Sequence, residues 1–357
     1  MEKDSLYLST ATGDRMFAFT PRIKLTRQRK TVDIVKRLGV ITANRIRLRK
    51  YPVENPITAF NPALTVEDHD VIIYARVTLG YYTYASAVAE IIIPLKEFQE
   101  LSGVYTATIR VFPDNRFDIW GVEDPRVYKI EGQKLMTYSG RTVNYFDRSV
   151  DIERTLPIAA IYRGEEWKKL CVFRLPMQLR GFVVSDKDAF FIKTRDGLRL
   201  FHRLHMKDDK YYLVISEISE DLLSLDEFKE ITVRNTRVII EQEGFEEKIG
   251  WGTPPIKIND EYLLFLHGVE RELKRYRVFA MLMDEDLEVK AITPFYIMEP
   301  TENYEIFGDR PFTIFPCGAE VIDGRIIISY GAGDSSIAFG EIEVERIMEL
   351  LDANRVD

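Results

Sequence analysis

The sequence predicts an all-β protein, a five-bladed β-propeller with a few short helices and an N-terminal extension. Most of the chain consists of short runs rich in Ile, Val, Tyr and Phe, broken by Gly, Asp, Asn and Pro, which is typical of strands joined by tight turns. Five hairpin-like segments each end on a charged or ionisable residue, and these residues follow one another at intervals of 62–67 residues. A repeated sheet unit is typical of propellers, whose four-stranded blades surround a central channel.

Five such units account for nearly all of the chain after residue 50. We therefore predict a propeller domain over residues 51–357, which ends in a short helix near Glu343–Leu351. Leu95–Leu101 and Leu222–Glu230 are two further helical candidates. Residues 1–50 carry 13 Lys and Arg against 4 Asp and Glu, and we interpret them as a basic extension. This extension could pack on an acidic neighbouring subunit, so a homo-oligomer is possible.

Composition narrows the classes of function. The net charge of −8 argues against a protein that coats nucleic acid, and the chain has neither an apolar run long enough to span a membrane nor a signal peptide. Cys171 and Cys317 are expected to be free buried thiols, which fits the cytoplasm. No metal site is predicted, because His202 and His205 would point to opposite faces of a strand.

The residues that end the five hairpins are expected to meet at the axis of the ring. Each alone could be an ordinary solvated strand end, but five in the same register favour a shared site. The histidine is the most informative member, because it follows a buried run and precedes a glycine that permits close approach. The five residues are Arg76, Arg141, Arg203, His267 and Asp334.

The stretch "WGVEDPRVYKI" (Trp120–Ile130) supplies a candidate acid. Glu123 and Asp124 precede a proline, and the residue before proline is expected to be extended, so Asp124 should have a fixed direction. Arg126 could orient a neighbouring carboxylate. A simple turn with a local salt bridge is the alternative.

Cations outnumber acids around this candidate: the predicted ring adds Lys187 or Lys193, Lys248 and His267 to its arginines. Such an excess would bind a doubly charged oxyanion well. An inverting glycosidase that uses water needs a second carboxylate as base, whereas phosphate arrives already ionised. The pattern therefore favours phosphorolysis of a glycosidic bond over hydrolysis.

Several motifs resemble those of glycoside hydrolase family 130, the β-mannoside phosphorylases and related hydrolases. They occur in family order between about residues 55 and 345: "FNPAL" (Phe60–Leu64), "GVEDPRV" (Gly121–Val127), "LFHRLH" (Leu200–His205), "KIGWGTPPI" (Lys248–Ile256), "LLFLHGV" (Leu263–Val269), "FPCGAEV" (Phe315–Val321) and "ISYGAGD" (Ile328–Asp334). The resemblance implies a five-bladed propeller and inverting cleavage of a β-mannosidic bond by phosphate, releasing α-mannose 1-phosphate. The implied partners are a mannose-containing oligosaccharide and inorganic phosphate as co-substrate, with no other cofactor.

The resemblance also implies roles for individual residues. Asp124 would be the general acid, whose proton passes through a sugar hydroxyl in some members of the family. Phosphate would be bound by Lys187, Arg203 and His267. The candidate substrate-binding residues are Asn61, Arg76, Glu123, Arg141, Lys257 and Asp334.

Two departures from the family pattern leave alternatives open. "FIKTRDGLR" leaves the choice between Lys187 and Lys193 undecided, and "DRPFTIFPCG" adds Arg310. One alternative function is a hydrolase on the same scaffold, in which Asp334 or Glu247 activates a water. The other is a non-catalytic propeller that binds sugars.

Overall fold

The computed structural model describes residues 26–356, and these form five antiparallel sheets arranged as the blades of a propeller. The predicted fold is confirmed. In each blade the first strand lies nearest the axis, where it contacts the first strands of neighbouring blades. The later strands follow outward in chain order.

Blades 1 and 2 each contain four antiparallel strands and one added outer strand. Blade 1 comprises β3 (Thr58–Glu67), β4 (Asp70–Thr78), β5 (Ser86–Pro94) and β6 (Tyr105–Val111), with β2 (Ile46–Arg49) parallel to β6. Blade 2 comprises β7 (Val122–Ile130), β8 (Gln133–Arg141), β9 (Thr155–Arg163) and β10 (Glu166–Arg174), with β14 (Lys229–Thr232) parallel to β10.

Blades 3 to 5 complete the ring. Blade 3 contains β11 (Val183–Thr194), β12 (Gly197–Met206), β13 (Tyr211–Ile218) and β15 (Arg234–Ile240). Blade 4 contains β16 (Glu246–Trp251), β18 (Glu261–Glu270), β19 (Tyr276–Met283) and β20 (Val289–Ile292), and β17 (Ile256–Ile258) pairs with β18. Blade 5 contains β21 (Ile314–Ile322), β22 (Arg325–Ala332), β23 (Ser336–Glu343) and β1 (Lys36–Thr42).

The strand β1 closes the ring, because it pairs antiparallel with β23 in the last blade. The predicted domain boundary at residue 50 is therefore too late: residues 36–49 supply strands to blades 5 and 1. Ile41 and Ile46 are fully buried, which explains why this basic segment folds into the sheets. Residues 1–25 lie outside the described residues.

Cations of this segment are neutralised within the chain. Buried Arg27 places its Nη2 2.5 Å from a carboxylate oxygen of Glu246, and Arg37 donates to Glu305 at 3.1 Å. The expected acidic partner for this part of the segment is therefore the chain itself. Whether the protein forms a homo-oligomer stays a prediction.

The core consists of five apolar clusters, each sandwiched between neighbouring blades. Both faces of a blade are therefore buried, which explains why runs such as "VIIYARV" lack the alternation of a half-exposed strand. Cys171 and Cys317 lie in two of these clusters as free buried thiols, as predicted.

The helices are few and short: α1 (Met177–Arg180), α2 (Asn303–Ile306) and α3 (Val344–Asp352). The third confirms the predicted C-terminal helix. Leu95–Leu101 instead forms turns, and Leu222–Glu230 divides between a 3-10 turn and β14. Within residues 26–356, no helix has the length and apolar character needed to cross a membrane.

A β-bulge interrupts the first strand of every blade. In blades 1 to 3 the extra residue has a left-handed backbone: φ is 47° at Asn61, 53° at Asp124 and 55° at Asp188. Asn and Asp tolerate this conformation better than most residues, and bulges commonly re-aim side chains beside active sites. The bulges fall between Phe60 and Ala63, Glu123 and Arg126, Lys187 and Phe190, Glu246 and Lys248, and Pro316 and Gly318.

Candidate active site

A cleft of about 410 Å³ opens at the axis, and all five blades line it. Most of the predicted site residues meet here. The charged and amide side chains of the lining are Asn61, Arg76, Glu123, Asp124, Arg141, Lys187, Asp188, Arg203, Lys248, Asp309, Arg310 and Asp334, and its aromatic side chains include Tyr211, Tyr276 and Phe315.

Arg141 ends β8 and Asp334 follows β22, but the other three predicted residues are not strand tips. Arg76, Arg203 and His267 lie within β4, β12 and β18, because these strands continue for two or more residues beyond them. Asp124 is not extended before its proline either, since the bulge gives it a positive φ. The ring of charges is therefore built inside the propeller mouth.

The structure places the two candidate lysines in different environments. Lys187 reaches the cleft, whereas Lys193 is half exposed and pairs with Glu131. Of the two candidates, Lys187 is therefore the one placed to contact a ligand in the cleft, and its role in binding phosphate stays a prediction. Lys257 does not line the cleft: it lies on β17, opposite Tyr262, and its ammonium is 3.1 Å from Glu285. Lys257 is therefore close to the site residues in the sequence but not in the structure.

Glu123 organises three of the predicted cations. Its carboxylate accepts hydrogen bonds from Arg76 Nη2 at 2.9 Å, Arg141 Nε at 2.7 Å and Lys187 Nζ at 2.9 Å. Burial alone would favour the neutral acid, but the three cations hold the pKa of Glu123 well below its usual range. Glu123 therefore remains ionised and positions its partners.

Asp124 lies beside this cluster and has a different environment. Its Oδ1 accepts from Asn61 Nδ2 at 2.8 Å and Arg76 Nη1 at 3.1 Å. Arg126 Nη1 donates to the backbone carbonyl of Asp124 at 2.9 Å, which fixes the bulge. Because both side-chain bonds fall on Oδ1, the second oxygen is available to a substrate.

The wall formed by blades 3 to 5 is positively charged. The cations Arg203 and Lys248 lie over the ring of Tyr211, at 5.5 and 5.4 Å from its centroid, and Arg310 lies 4.9 Å from the centroid of Tyr276. In the described part of the chain, the side chains of Lys248 and Arg310 form no ion pair. Burial, together with Arg203 and Arg310, lowers the pKa of Lys248 to about 7.

Asp188 and His267 form the buried floor beneath this wall. Arg203 Nε lies 3.1 Å and His267 Nε2 lies 3.7 Å from Asp188 Oδ2. Burial and the surrounding cations, Arg203 first, hold the pKa of His267 well below its usual range, so the imidazole is neutral. Within the described residues, these atoms and the Nδ1 of His267 have no hydrogen-bond partner. Of these atoms, the nitrogens of Arg203 and His267 can donate to an oxyanion, whereas the oxygen of Asp188 can only accept.

The sequence analysis did not identify Asp188, although a repeated position in the sequence pointed to it. It occupies the bulge of β11 as Asn61 and Asp124 occupy the bulges of β3 and β7. Comparing "FNPAL", "VEDPR" and "SDKDAF" as equivalent strand positions would have identified it. The tyrosines of the wall carry no comparable signal.

Of the two acids proposed as alternative bases, only Asp334 lies in the cleft. It follows β22 with a φ of 50°, and burial raises its pKa to about 6 against the opposing charges of Arg310 and Arg76. Glu247 does not line the cleft and pairs with Lys274.

The two histidines considered as metal ligands lie in different environments. His202 is fully buried, with Nδ1 2.8 Å from Asp186 Oδ2 and Nε2 2.8 Å from Ser216 Oγ. His205 lines the cleft and stacks on Tyr211. The Asp–His–Ser arrangement resembles a hydrolytic triad, but its serine is fully buried, so it is part of the core of blade 3.

A cationic wall and a carboxylate that line one cleft at the mouth of a propeller are the arrangement expected of an enzyme that acts on glycosides with an anionic nucleophile, a glycoside phosphorylase. The sequence model described as β-1,4-mannooligosaccharide phosphorylase matches residues 25–353. The chain therefore belongs to this family, glycoside hydrolase family 130, which confirms the resemblance seen in the sequence.

Similar proteins of established name agree with this assignment. A β-1,2-mannobiose phosphorylase and a 1,2-β-oligomannan phosphorylase from Thermoanaerobacter sp. (strain X514) are each 29% identical over 64% of this chain, and the matches span 69% and 71% of their own lengths. The β-1,2-mannobiose phosphorylase from Listeria innocua, solved with β-1,2-mannobiose, superposes with a TM-score of 0.65 at 18% identity. That match covers 90% of this chain and 99% of the other, and it shows the shared fold.

Proposed function

We propose that this enzyme cleaves β-mannosides with inorganic phosphate and inverts the configuration at the anomeric carbon. The bond between C1 and the glycosidic oxygen breaks, a bond from C1 to a phosphate oxygen forms, and α-mannose 1-phosphate leaves with a shortened saccharide. The observation that carries this proposal is the wall of Arg203, Lys248 and Arg310, in which the second and third cations have no ion-pair partner among the described residues.

Phosphate would be bound by this wall as the nucleophile. A dianion would balance the charges of Lys248 and Arg310, which have no ion-pair partner among the described residues, and it would accept hydrogen bonds from Arg203 and His267. The neutral His267 can donate an N–H bond without adding another positive charge. Because phosphate is ionised before it binds, the reaction needs no protein base. Lys187 is a weaker candidate for phosphate, since its ammonium is already paired with Glu123.

Asp124 would supply the proton to the departing oxygen, directly or through a sugar hydroxyl. Asn61 and Arg76 hold its carboxylate in one orientation. In an inverting reaction, the nucleophile and the leaving group occupy opposite faces of the sugar. The acid and the cationic wall come from different blades, since Asp124 belongs to blade 2 and the wall to blades 3 to 5.

Hydrolysis on the same scaffold is the second candidate, favoured by one observation. Asp334 lies in the cleft with a pKa of about 6, as a carboxyl group that could take a proton from water near neutral pH. Hydrolysis would nevertheless leave the three cations of the wall without a role, which is why phosphorolysis is preferred.

Product analysis with and without phosphate separates the two reactions. The purified protein would be incubated with β-1,2- and β-1,4-linked mannooligosaccharides, with mannose 1-phosphate and free mannose measured separately. The names of the relatives favour the β-1,2 series as the first test. We expect mannose 1-phosphate only when phosphate is present. Release of free mannose at the same rate in phosphate-free buffer would instead establish a hydrolase.

The proposal includes a cytoplasmic location. Two free buried thiols and a need for inorganic phosphate as co-substrate support it. Fractionation of the native host, followed by assay of phosphate-dependent activity, would test this location.

A further inference from the structure

Two fully buried glutamates, each paired with an arginine of residues 26–37, stand shortly before the unpaired cations of the wall in the sequence. Glu246 pairs with Arg27, and Glu305 pairs with Arg37. Glu246 stands two residues before the lysine of the wall, and Glu305 stands five residues before the arginine that follows it. The reaction proposed above uses neither pair, although buried charges are costly and need a reason to be kept.

Arg27 fixes the connection between blades 3 and 4 that leads to Lys248. Its Nη2 donates to Glu246 Oε2 at 2.5 Å and to the carbonyl of Glu241 at 3.2 Å, and its backbone N–H donates to Glu243 Oε1 at 2.9 Å. The carboxylate of Glu246 also accepts from the backbone N–H of Glu243 at 2.6 Å. One arginine therefore holds three points of this connection and sets the position of the bulge in β16, which Lys248 follows directly.

Arg37 fixes the loop that carries Arg310 in the same way. Its Nε donates to Glu305 Oε1 at 3.1 Å, and the other oxygen of this carboxylate accepts from two backbone N–H groups at 2.8 and 3.0 Å. The carbonyl of Glu305 accepts from the N–H of Thr313 at 3.2 Å, which closes the loop, and the N–H of Arg310 donates to the carbonyl of Gly333 at 3.0 Å. The loop is therefore anchored at the buried glutamate.

The two wall cations need such support from the backbone. Lys248 and Arg310 lie near Arg203, and their like charges repel one another. In the described part of the chain neither forms an ion pair that would hold it, and both lie over the ring of Tyr276, at 5.8 and 4.9 Å from its centroid. Binding groups that are held in place before the ligand arrives avoid the cost of being ordered on binding.

We propose that Arg27 and Arg37 are positioning residues for the binding of phosphate. Each holds, through its buried glutamate, the backbone segment that presents one cation of the wall. Arg27 acts on Lys248, and Arg37 acts on Arg310. The inference rests on the proposed function and extends it to two residues that do not line the cleft.

Arg27→Lys and Arg37→Lys test this inference. Lysine keeps the charge against the buried glutamate but loses the fork of donors, whereas an uncharged side chain would leave a buried carboxylate unpaired. Each variant should raise the phosphate KM by about 10-fold, since displacement of a group by about 1 Å can cost up to about 10²-fold. The Kd of inorganic phosphate alone, measured by calorimetry, should rise equally, and the KM of the saccharide should stay near the wild-type value.

Arg110→Lys is the matched control. Arg110 also donates two hydrogen bonds to a buried glutamate, Glu90, at 2.9 and 2.7 Å, but among the described residues neither β5 nor β6 lines the cleft. Thermal unfolding should show that all three variants lose stability, while only those at Arg27 and Arg37 lose phosphate affinity. Phosphate affinity that falls in all three variants, or in none, would mean a purely structural role and would overturn the inference.

Double variants separate the two units, because residues that act through one another have non-additive effects. In a Lys248→Met protein, Arg27→Lys should weaken phosphate binding no further, whereas Arg37→Lys still should. Arg310→Met should reverse this pattern. Full additivity in both backgrounds would overturn the inference and leave the proposed function intact. A wild-type protein that binds no phosphate would instead overturn the proposed function, and this inference with it.

Discussion

The Nε2 atom of His267 lies 3.7 Å from Oδ2 of Asp188, and neither atom has a hydrogen-bond partner in the described residues. Gly250 makes this approach possible. A Cβ atom there would lie 2.3 Å from the His267 ring and 2.5 Å from Asp188 Oδ2. The floor of the oxyanion site therefore depends on a residue without a side chain.

Gly250→Ala should consequently displace both groups. We expect the phosphate KM to rise by at least about 10-fold and the free energy of unfolding to fall by about 1–3 kcal/mol, the usual cost of overpacking. Phosphate kinetics and thermal unfolding would measure the two effects. Gly244→Ala is the matched control, because nothing lies within 4 Å of the Cβ it would add. Similar phosphate kinetics for the two variants would show that Gly250 is not needed for phosphate binding.

Phosphate affinity should depend on the protonation of Lys248. Its pKa is lowered to about 7, so the free enzyme loses this positive charge as pH rises through 7. The phosphate KM should rise between about pH 7 and 9. Lys248→Arg keeps its charge across this range, and the ratio of the two KM values cancels the titration of phosphate itself. A ratio independent of pH would contradict a titrating lysine in the site.

Asp124→Asn should abolish turnover without unfolding the protein. Loss of a general acid typically lowers kcat by about 10²–10⁴-fold. Asparagine tolerates the positive φ at this position, so backbone strain is not added. Asp323→Asn provides a control at an exposed turn with a φ of 48°. Retention of more than a tenth of the wild-type kcat would exclude Asp124 as the acid.

Glu123→Gln should destabilise the fold in a pH-dependent way. The pKa of Glu123 is lowered in the folded state, so its contribution is present above the unfolded pKa, near 4.5, and is lost as pH falls below it. At pH 7 the variant would leave three cations without their shared anion, at a cost of about 3–5 kcal/mol.

Urea unfolding at pH 7 and pH 4 would measure this difference, which should shrink at the lower pH. Glu285→Gln is the control: its partner Lys257 is half exposed, and such pairs contribute less than about 1 kcal/mol. An equally small effect at both positions would show that Glu123 does not hold the cluster together.

The repeat of the fold could be predicted from sequence because the second strand of every blade carries, or leads into, an ionisable residue near the central site. The strands of residues 36–49 were not predictable in this way. They are short and basic, and the partner of β1 is β23, almost the full length of the ring away. Local pattern contains no information about such a distant partner.

The chemistry of the site was predictable where a side chain stands in a distinctive motif, as at Asp124, Arg203 and His267. The tyrosines of the cationic wall stand in ordinary strand sequences, and only their three-dimensional positions reveal them. Asp188 could have been found by comparing the bulge positions of the first strands. Lys257 shows the opposite error. It lies close to the site in sequence, but β17 leads it to the outer end of its hairpin, where it pairs with Glu285.

The pairing of β1 with β23 also bears on the order of events during synthesis on the ribosome. Blade 5 takes its outer strand from Lys36–Thr42, which emerges long before Ser336–Glu343. Blade 1 and its successors can form as they emerge, while the early strand retains an unpaired edge until Ser336–Glu343 has been synthesised. Ring closure therefore follows the formation of the other blades, and a nascent chain arrested before residue 336 would expose an unpaired strand edge that is prone to aggregate.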